Sequence, residues 1–287
     1  MAGVSDGAHR APAPGLRRYL ESYEGYRLAG FEPGVHVGMP SPYLTVIITI
    51  GDAPIELSAM SRPEQAPGCW TALASGITMR PCTIAHDGNQ HGIQLSLTPL
   101  GARALLGVPT AELGSWVVSL DDVLGADARE LRDRIDAPIS WDERFDVLDE
   151  VFTRRVAALR PDRADPIDGS LTRAWRMLVG GGGRAKVAEV AAEVGWSRRH
   201  LISRFQAEFG VSPKDSARIA RFTESHARLR AAQMPPLAQV AAECGYYDQA
   251  HMARDWREFA GMSPSRWRAD EKFAFVQEPT APVRLGC

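Results

Sequence analysis

The sequence predicts an α+β protein in two parts: an N-terminal antiparallel β-barrel or sandwich with helices, then an all-α domain holding two helix-turn-helix units. Three observations carry this. From about residue 19 to residue 98 the chain is a series of short alternating or β-branched runs parted by Gly, Pro, Asn and Asp. Beyond residue 98 apolar residues recur at helical spacing. A seven-residue phrase, VAAEVGW from Val190, returns fifty residues later as VAAECGY from Val240.

The chain has 287 residues, 45% hydrophobic and 24% charged, which fits two globular domains and excludes a disordered or fibrous chain. The organisation reads as a flexible leader over 1–17, a sensing and dimerising domain over 18–160, a linker over 161–168, a helical domain over 169–272 and a tail over 273–287. The longest apolar run, Tyr43–Gly51, is far short of the ~20 residues of a membrane helix. No basic-then-apolar signal opens the chain, so the expected location is cytoplasmic. Cys69, Cys82, Cys244 and Cys287 have neither zinc nor disulfide-framework spacing; Cys69 and Cys82 read as small apolar fillers in or near strands rather than as a redox or metal sensor. The net charge of −2 hides an asymmetry: residues 168–272 carry 17 Lys+Arg against 12 Asp+Glu, and the remainder 16 against 23. A basic half points to a polyanionic partner for that half alone.

In the first part the strand-like runs are YLESYEGYRLAG, YLTVIITIG, APIELSAM, CWTALASGITM, PCTIAHDG and GIQLSLTP. At Thr98 the period changes. Thr98 offers a cap, Pro99 the first helical residue and Gly107 a terminator. In DARELRDRI, Leu131 and Ile135 lie four apart on the next helix. A capping box, Ser140 with Glu143, starts a longer one, whose stripe of Trp141, Phe145, Leu148, Phe152, Val156 and Leu159 faces one side. That stripe packs either on its own domain or on a second subunit. RPDRADPID, Arg160–Asp168, reads as a linker.

Each repeated phrase is a helix that stops at a glycine. In the first copy Val187, Val190, Ala191 and Val194 face the core, Gly195 makes a tight turn, Trp196 plugs it and Ser197 caps a second helix with Leu201 and Phe205 inward. In the second the same parts are Leu237, Val240, Ala241, Cys244, Gly245, Tyr246 and Asp248, with Met252 and Trp256 inward. Ala191 and Ala241 permit the steep helix crossing. The second turn holds one extra residue, so His200 aligns with His251 and GVSP with GMSP. Between the copies Lys214–Ala232 reads as one connecting helix, with Ile219, Phe222, His226 and Leu229 inward.

The outward faces of the two second helices carry Arg198, Arg199, Ile202, Ser203 and Gln206, and Gln249, Ala250, Ala253, Arg254 and Arg257; His251 joins the second set. Arginine reads guanine bidentately and glutamine reads adenine, while small residues allow close approach. A rigid connector would set the two helices into successive major grooves, ~34 Å apart.

These residues resemble the AraC/XylS family of bacterial transcription regulators over about Asp168–Arg268. The paired phrases, GWSRRHL…RF…FGVSP and GYYDQAHMARDWREFAGMSP carry the resemblance, with Trp256 where phenylalanine is usual. It implies seven helices with two helix-turn-helix units, and base-facing roles for Arg198, Arg199, Ile202, Ser203, Gln249, Ala250 and Arg254. It also implies double-stranded DNA as partner, a small-molecule or protein effector, a homodimer and contact with RNA polymerase. Ahead of such repeats stand effector domains, often cupin-like barrels. Here His36, His86 and His91 lack the cupin ligand spacing, so no metal and no cofactor are expected. Other classes remain: an enzyme barrel with a DNA module, for which only Asp52, Glu56 and Asp87 stand among the strands; an alkyl-accepting repair protein, for which the cysteine spacing is wrong; and a pure interaction barrel.

Overall fold

In a computed structural model of the protein the described residues are 3–137, 139–159, 167–230 and 235–270. The strands among them are β1 (Val4–Arg10), β2 (Leu20–Ala29), β3 (Gly34–Gly38), β4 (Leu44–Thr49), β5 (Ile55–Ala59), β6 (Gly68–Trp70), β7 (Ala72–Ser75), β8 (Cys82–His86), β9 (Gln90–Leu97) and β10 (Val117–Ser119). They form two antiparallel sheets, ordered β1-β2-β9-β4-β7-β10 and β3-β8-β5-β6. Of the two expected architectures the described residues adopt the sandwich, with two separate sheets.

The central strand β4 shows why its sequence is apolar on both sides. Leu44, Val46 and Ile48 pack with the helices on the outer face of the six-stranded sheet. Ile47, with Leu73 on β7, meets Ile55, Leu57 and Ile84 of the other sheet. A strand covered on both faces loses the alternation of a half-exposed one.

Within the expected flexible leader over 1–17, Val4–Arg10 form a strand. Residues 4–10 pair along the edge of β2, from Val4 opposite Ala29 to Arg10 opposite Tyr23. Arg10 then reaches Asp146 at 2.7 Å and Asp149 at 2.9 Å. The segment has no apolar period because its backbone bonds and one ion cluster hold it. Short β3 and β10 also escaped the sequence pattern. Cys69 lies exposed on β6 rather than filling a core.

Thr98 Oγ1 accepts the Gly101 N–H at 3.1 Å and starts α1 (Pro99–Gly101), which widens into a π-helical turn over Ala102–Leu106 and ends at Gly107. Three helices follow, α2 (Thr110–Leu113), α3 (Leu120–Leu124) and α4 (Ala126–Asp136). The capping box of α5 (Trp141–Ala157) forms as read, through Ser140 and Glu143. Its Phe145, Leu148, Val151 and Phe152 are buried in the core, with Trp141, Val156 and Leu159 at the margin, so the stripe serves its own chain.

The expected linker lies mostly outside the described residues, as do Ala231 and Ala232 of the connecting helix and the tail over 273–287. Its last two residues belong to the fold: Ile167 is buried and Asp168 caps α6 (Gly169–Trp175), which runs into a π-helical turn over Arg176–Gly180. Then come α7 (Val187–Glu193), α8 (Arg198–Phe209), α9 (Pro213–Arg230), α10 (Leu237–Glu243), α11 (Gln249–Ala260) and α12 (Pro264–Asp270).

Candidate nucleic-acid interface and cavity

Helices α7 and α8, and again α10 and α11, are joined by turns at Gly195 and Gly245, with φ of 73° and 76°. A side chain with a Cβ is strained there, which is why both phrases end in glycine. Each turn is filled in the same way. The Trp196 ring meets His200 edge-on at 4.7 Å, and Tyr246 meets His251 edge-on at 5.3 Å. Each second helix is capped by a side chain. Ser197 Oγ accepts the His200 N–H at 3.2 Å and Asp248 Oδ1 accepts that of His251 at 2.6 Å.

The inward residues Leu201, Phe205, Met252 and Trp256 are buried. Arg198, Arg199, Ser203 and Gln206 on α8 are exposed, as are Gln249, Ala250, Arg254 and Arg257 on α11; Ile202 and Ala253 are half-buried. His251 stands apart from this set, because its Nδ1 accepts the Tyr247 N–H at 3.4 Å and its ring packs in the turn. With the register shift the two faces differ in where their cations lie. Arg198 and Arg199 start α8 where Gln249 and Ala250 start α11. Arg254 and Arg257 stand one turn deeper, opposite Ser203 and Gln206.

Sequence reading missed two features of this face. Tyr247, the extra residue of the second turn, is 93% exposed just ahead of α11. A basic groove beside Arg198 gathers Arg184, Lys186, Lys214 and Arg221, with no acidic group among the described residues of its lining. The doubled tyrosine of GYYD was a usable sign of the first. The groove joins α7 to α9 and left none.

Helix α9 ties the units together. Trp256 Nε1 donates to Ser225 Oγ at 2.9 Å inside the core. Arg218 binds Asp255 at 2.8 Å and Glu258 at 2.5 Å. Arg228 binds Glu243 at 2.7 Å. The first unit also docks on the N-terminal domain: Arg103 holds both carboxylate oxygens of Glu208, at 2.7 and 2.8 Å. A Cβ on Gly210 would lie 3.2 Å from Ala111 Cα, so α8 and α2 sit close there.

A cavity of about 310 Å³ lies between the two sheets, reaching from Gln94 and Ser96 on β9 to His36 on β3. Helices α9 and α12 add Thr223, His226, Arg230 and Trp267 to its wall. Strand pairing brings the rings of His36 and His86 to 5.6 Å, a neighbourhood their sequence separation concealed. Burial lowers the pKa of His36 to about 4, with the charge of His86 adding. Burial, helped by Arg230, lowers that of His226 to about 3. Among the described residues no three metal-binding side chains gather. His91 instead packs edge-on against Trp141.

Fold and exposed faces together define a two-unit helix-turn-helix domain joined to a β-sandwich. Residues 190–270 match the family described as a helix-turn-helix domain. The arabinose operon regulatory proteins of Escherichia coli K12 and Salmonella typhimurium LT2 are each 25% identical over 127 residues, 44% of this chain and 43% and 45% of theirs. The chain thus matches less than half the length of these curated relatives. Among solved structures, ToxT of Vibrio cholerae has a TM-score of 0.51 at 10% identity, covering 94% of this chain and 98% of ToxT. A fatty-acid-bound structure of ToxT, from strain SCE256, matches at 0.51 and 10% over 96% and 98%. At that identity the likeness is one of fold. The chain thus carries a helix-turn-helix domain over residues 190–270, joined to a β domain, and shares its fold with ToxT. Among the described residues no helix is long and apolar enough to cross a membrane.

Proposed function

We propose that this protein is a sequence-specific DNA-binding transcription regulator, reading two successive major grooves with α8 and α11 and controlled through its N-terminal cavity. One observation carries it. Two copies of one turn-and-cap device leave the same side of each second helix exposed, and that side holds Arg198, Arg199, Ser203 and Gln206, then Gln249, Ala250, Arg254 and Arg257. Arg184, Lys186 and Lys214 neutralise phosphate beside them. Ile202 contacts a thymine methyl, while His251 supports the turn. The ToxT structure with a bound unsaturated fatty acid supports a small-molecule effector for a domain of this fold. On this reading the protein works in the cytoplasm without enzymatic activity, as a homodimer that contacts RNA polymerase.

Selection of bound DNA from a random pool tests the reading. It should return two short motifs about one helical turn apart. Binding should weaken steeply with salt. Recovery of no motif, or of one motif only, would reject paired reading.

A further inference from the structure

The polar residues on the inner face of the six-stranded sheet lie toward a space between the sheets, and three acidic or basic side chains enter it. Glu21 and Glu24 come from β2 and Arg230 from the end of α9. The two histidines of the wall are neutral at pH 7, and burial pushes the Cys82 thiol up to about 11. The lining therefore holds two acids against one base.

The acids are not equivalent. Glu21 is already bonded to the Tyr43 side chain. Glu24 has Ser22 and the charge of Arg230 in its favour, yet burial still raises its pKa to about 7. Its Oε2 is shut off from solvent and accepts no hydrogen bond. A buried acceptor left without a donor is destabilising, more so when ionised, and a ligand that donates to it recovers that loss. Farther in, Ile47, Leu57, Leu73 and Ile84 form an apolar wall.

We infer that the cavity takes a small monocation, an amine on an apolar body, with its ammonium donating to Glu24 Oε2 and its body against the Ile47–Leu57–Leu73–Ile84 wall. A monocation stabilises the ionised Glu24 carboxylate, whereas a carboxylate ligand would set a further negative charge beside it. The volume, about 310 Å³, sits at the small end of the usual ligand-site range, roughly 300–1,000 Å³. This rests on the regulatory reading, which names the cavity as the control site.

Isothermal titration of the full chain with 2-phenylethylamine, 2-phenylethanol and 3-phenylpropanoate tests it. The amine should bind about tenfold or more tighter than the acid, with the alcohol between, since charge-assisted bonds are about twice as strong as neutral ones. Glu24→Gln keeps the shape and removes the charge. It should bring the amine down to the level of the alcohol while the unliganded melting temperature holds or rises. Acid binding as tight as amine, no binding by any of the three, or an unchanged amine preference in Glu24→Gln would each overturn the inference. DNA selection is run without ligand, so the reading of DNA and the ligand class can fail independently.

Discussion

The two helix-turn-helix units share a turn, a plug and a cap, and differ in what their second helices lean on. In register, Phe205 of the first copy corresponds to Trp256 of the second, Arg204 to Asp255 and Glu208 to Phe259. The first helix packs Phe205 and Phe209 on Trp175, with ring centroids 5.8 and 4.8 Å apart, and turns Glu208 to Arg103 of the β domain. The second buries Phe259 and ties Asp255 to Arg218 of α9. One copy is thus coupled to the cavity-bearing domain and the other to the connecting helix. Duplication conserved what folds the motif, and divergence decided its neighbours.

The largest break in this comparison should come from Arg218. Asp255 is 4% exposed, so Arg218→Met strands a buried carboxylate. Urea unfolding should lose on the order of 3 kcal/mol. Arg204→Met, at the position matching Asp255, should stay within about 0.5 kcal/mol because Arg204 is exposed. Equal losses would show that the copies are supported alike.

A second contrast concerns reading. Arg254 corresponds to Ser203, and Arg254→Ala should weaken binding to the selected DNA by about 1–3 kcal/mol and relax one base position. Ser203→Ala should cost less than threefold. Band-shift titrations on point-mutated sites decide it, and an unchanged base preference in Arg254→Ala would remove α11 from the reading face.

Acid should act near the second copy, where His226 packs between Trp256 and Trp267. The folded pKa values of His226 and His36, about 3 and about 4, lie below the ordinary 6.5. Their contribution is full above pH 6.5 and drains away as pH falls below it. Glu24, raised from 4.5 to about 7, works the other way, costing stability as pH rises through that window. Burial lowers five histidines, His9, His36, His86, His91 and His226, and raises two glutamates, Glu21 and Glu24, which leaves a net loss on acidification below pH 6.5. Urea midpoints at pH 7 and pH 5 measure it, and a midpoint that rises in acid would contradict the burial of these histidines.

The smallest effect should be the most even. Ser197→Ala and Asp248→Ala each remove one cap and should each cost about 1 kcal/mol by thermal unfolding. A clear inequality would mean that one turn is held mainly by its surroundings.

Local devices were legible from residues alone because their causes are local. A glycine at positive φ, a capping Ser or Asp, a box of Ser140 with Glu143 and the stripe of α5 need only near neighbours. So the double motif, the outward Arg198–Gln206 and Gln249–Arg257 faces, and most strands could be read directly. Residues 4–10 could not, since a strand held by backbone bonds to β2 and by Arg10 leaves no side-chain period. The cavity was equally hidden. Ser22, Glu24, Gln94 and Ser96 alternate with apolar residues just as a solvent-facing set would, and only the second sheet with α9 across its mouth encloses them. Period two tells which residues share a face; what covers that face is decided by distant parts of the chain.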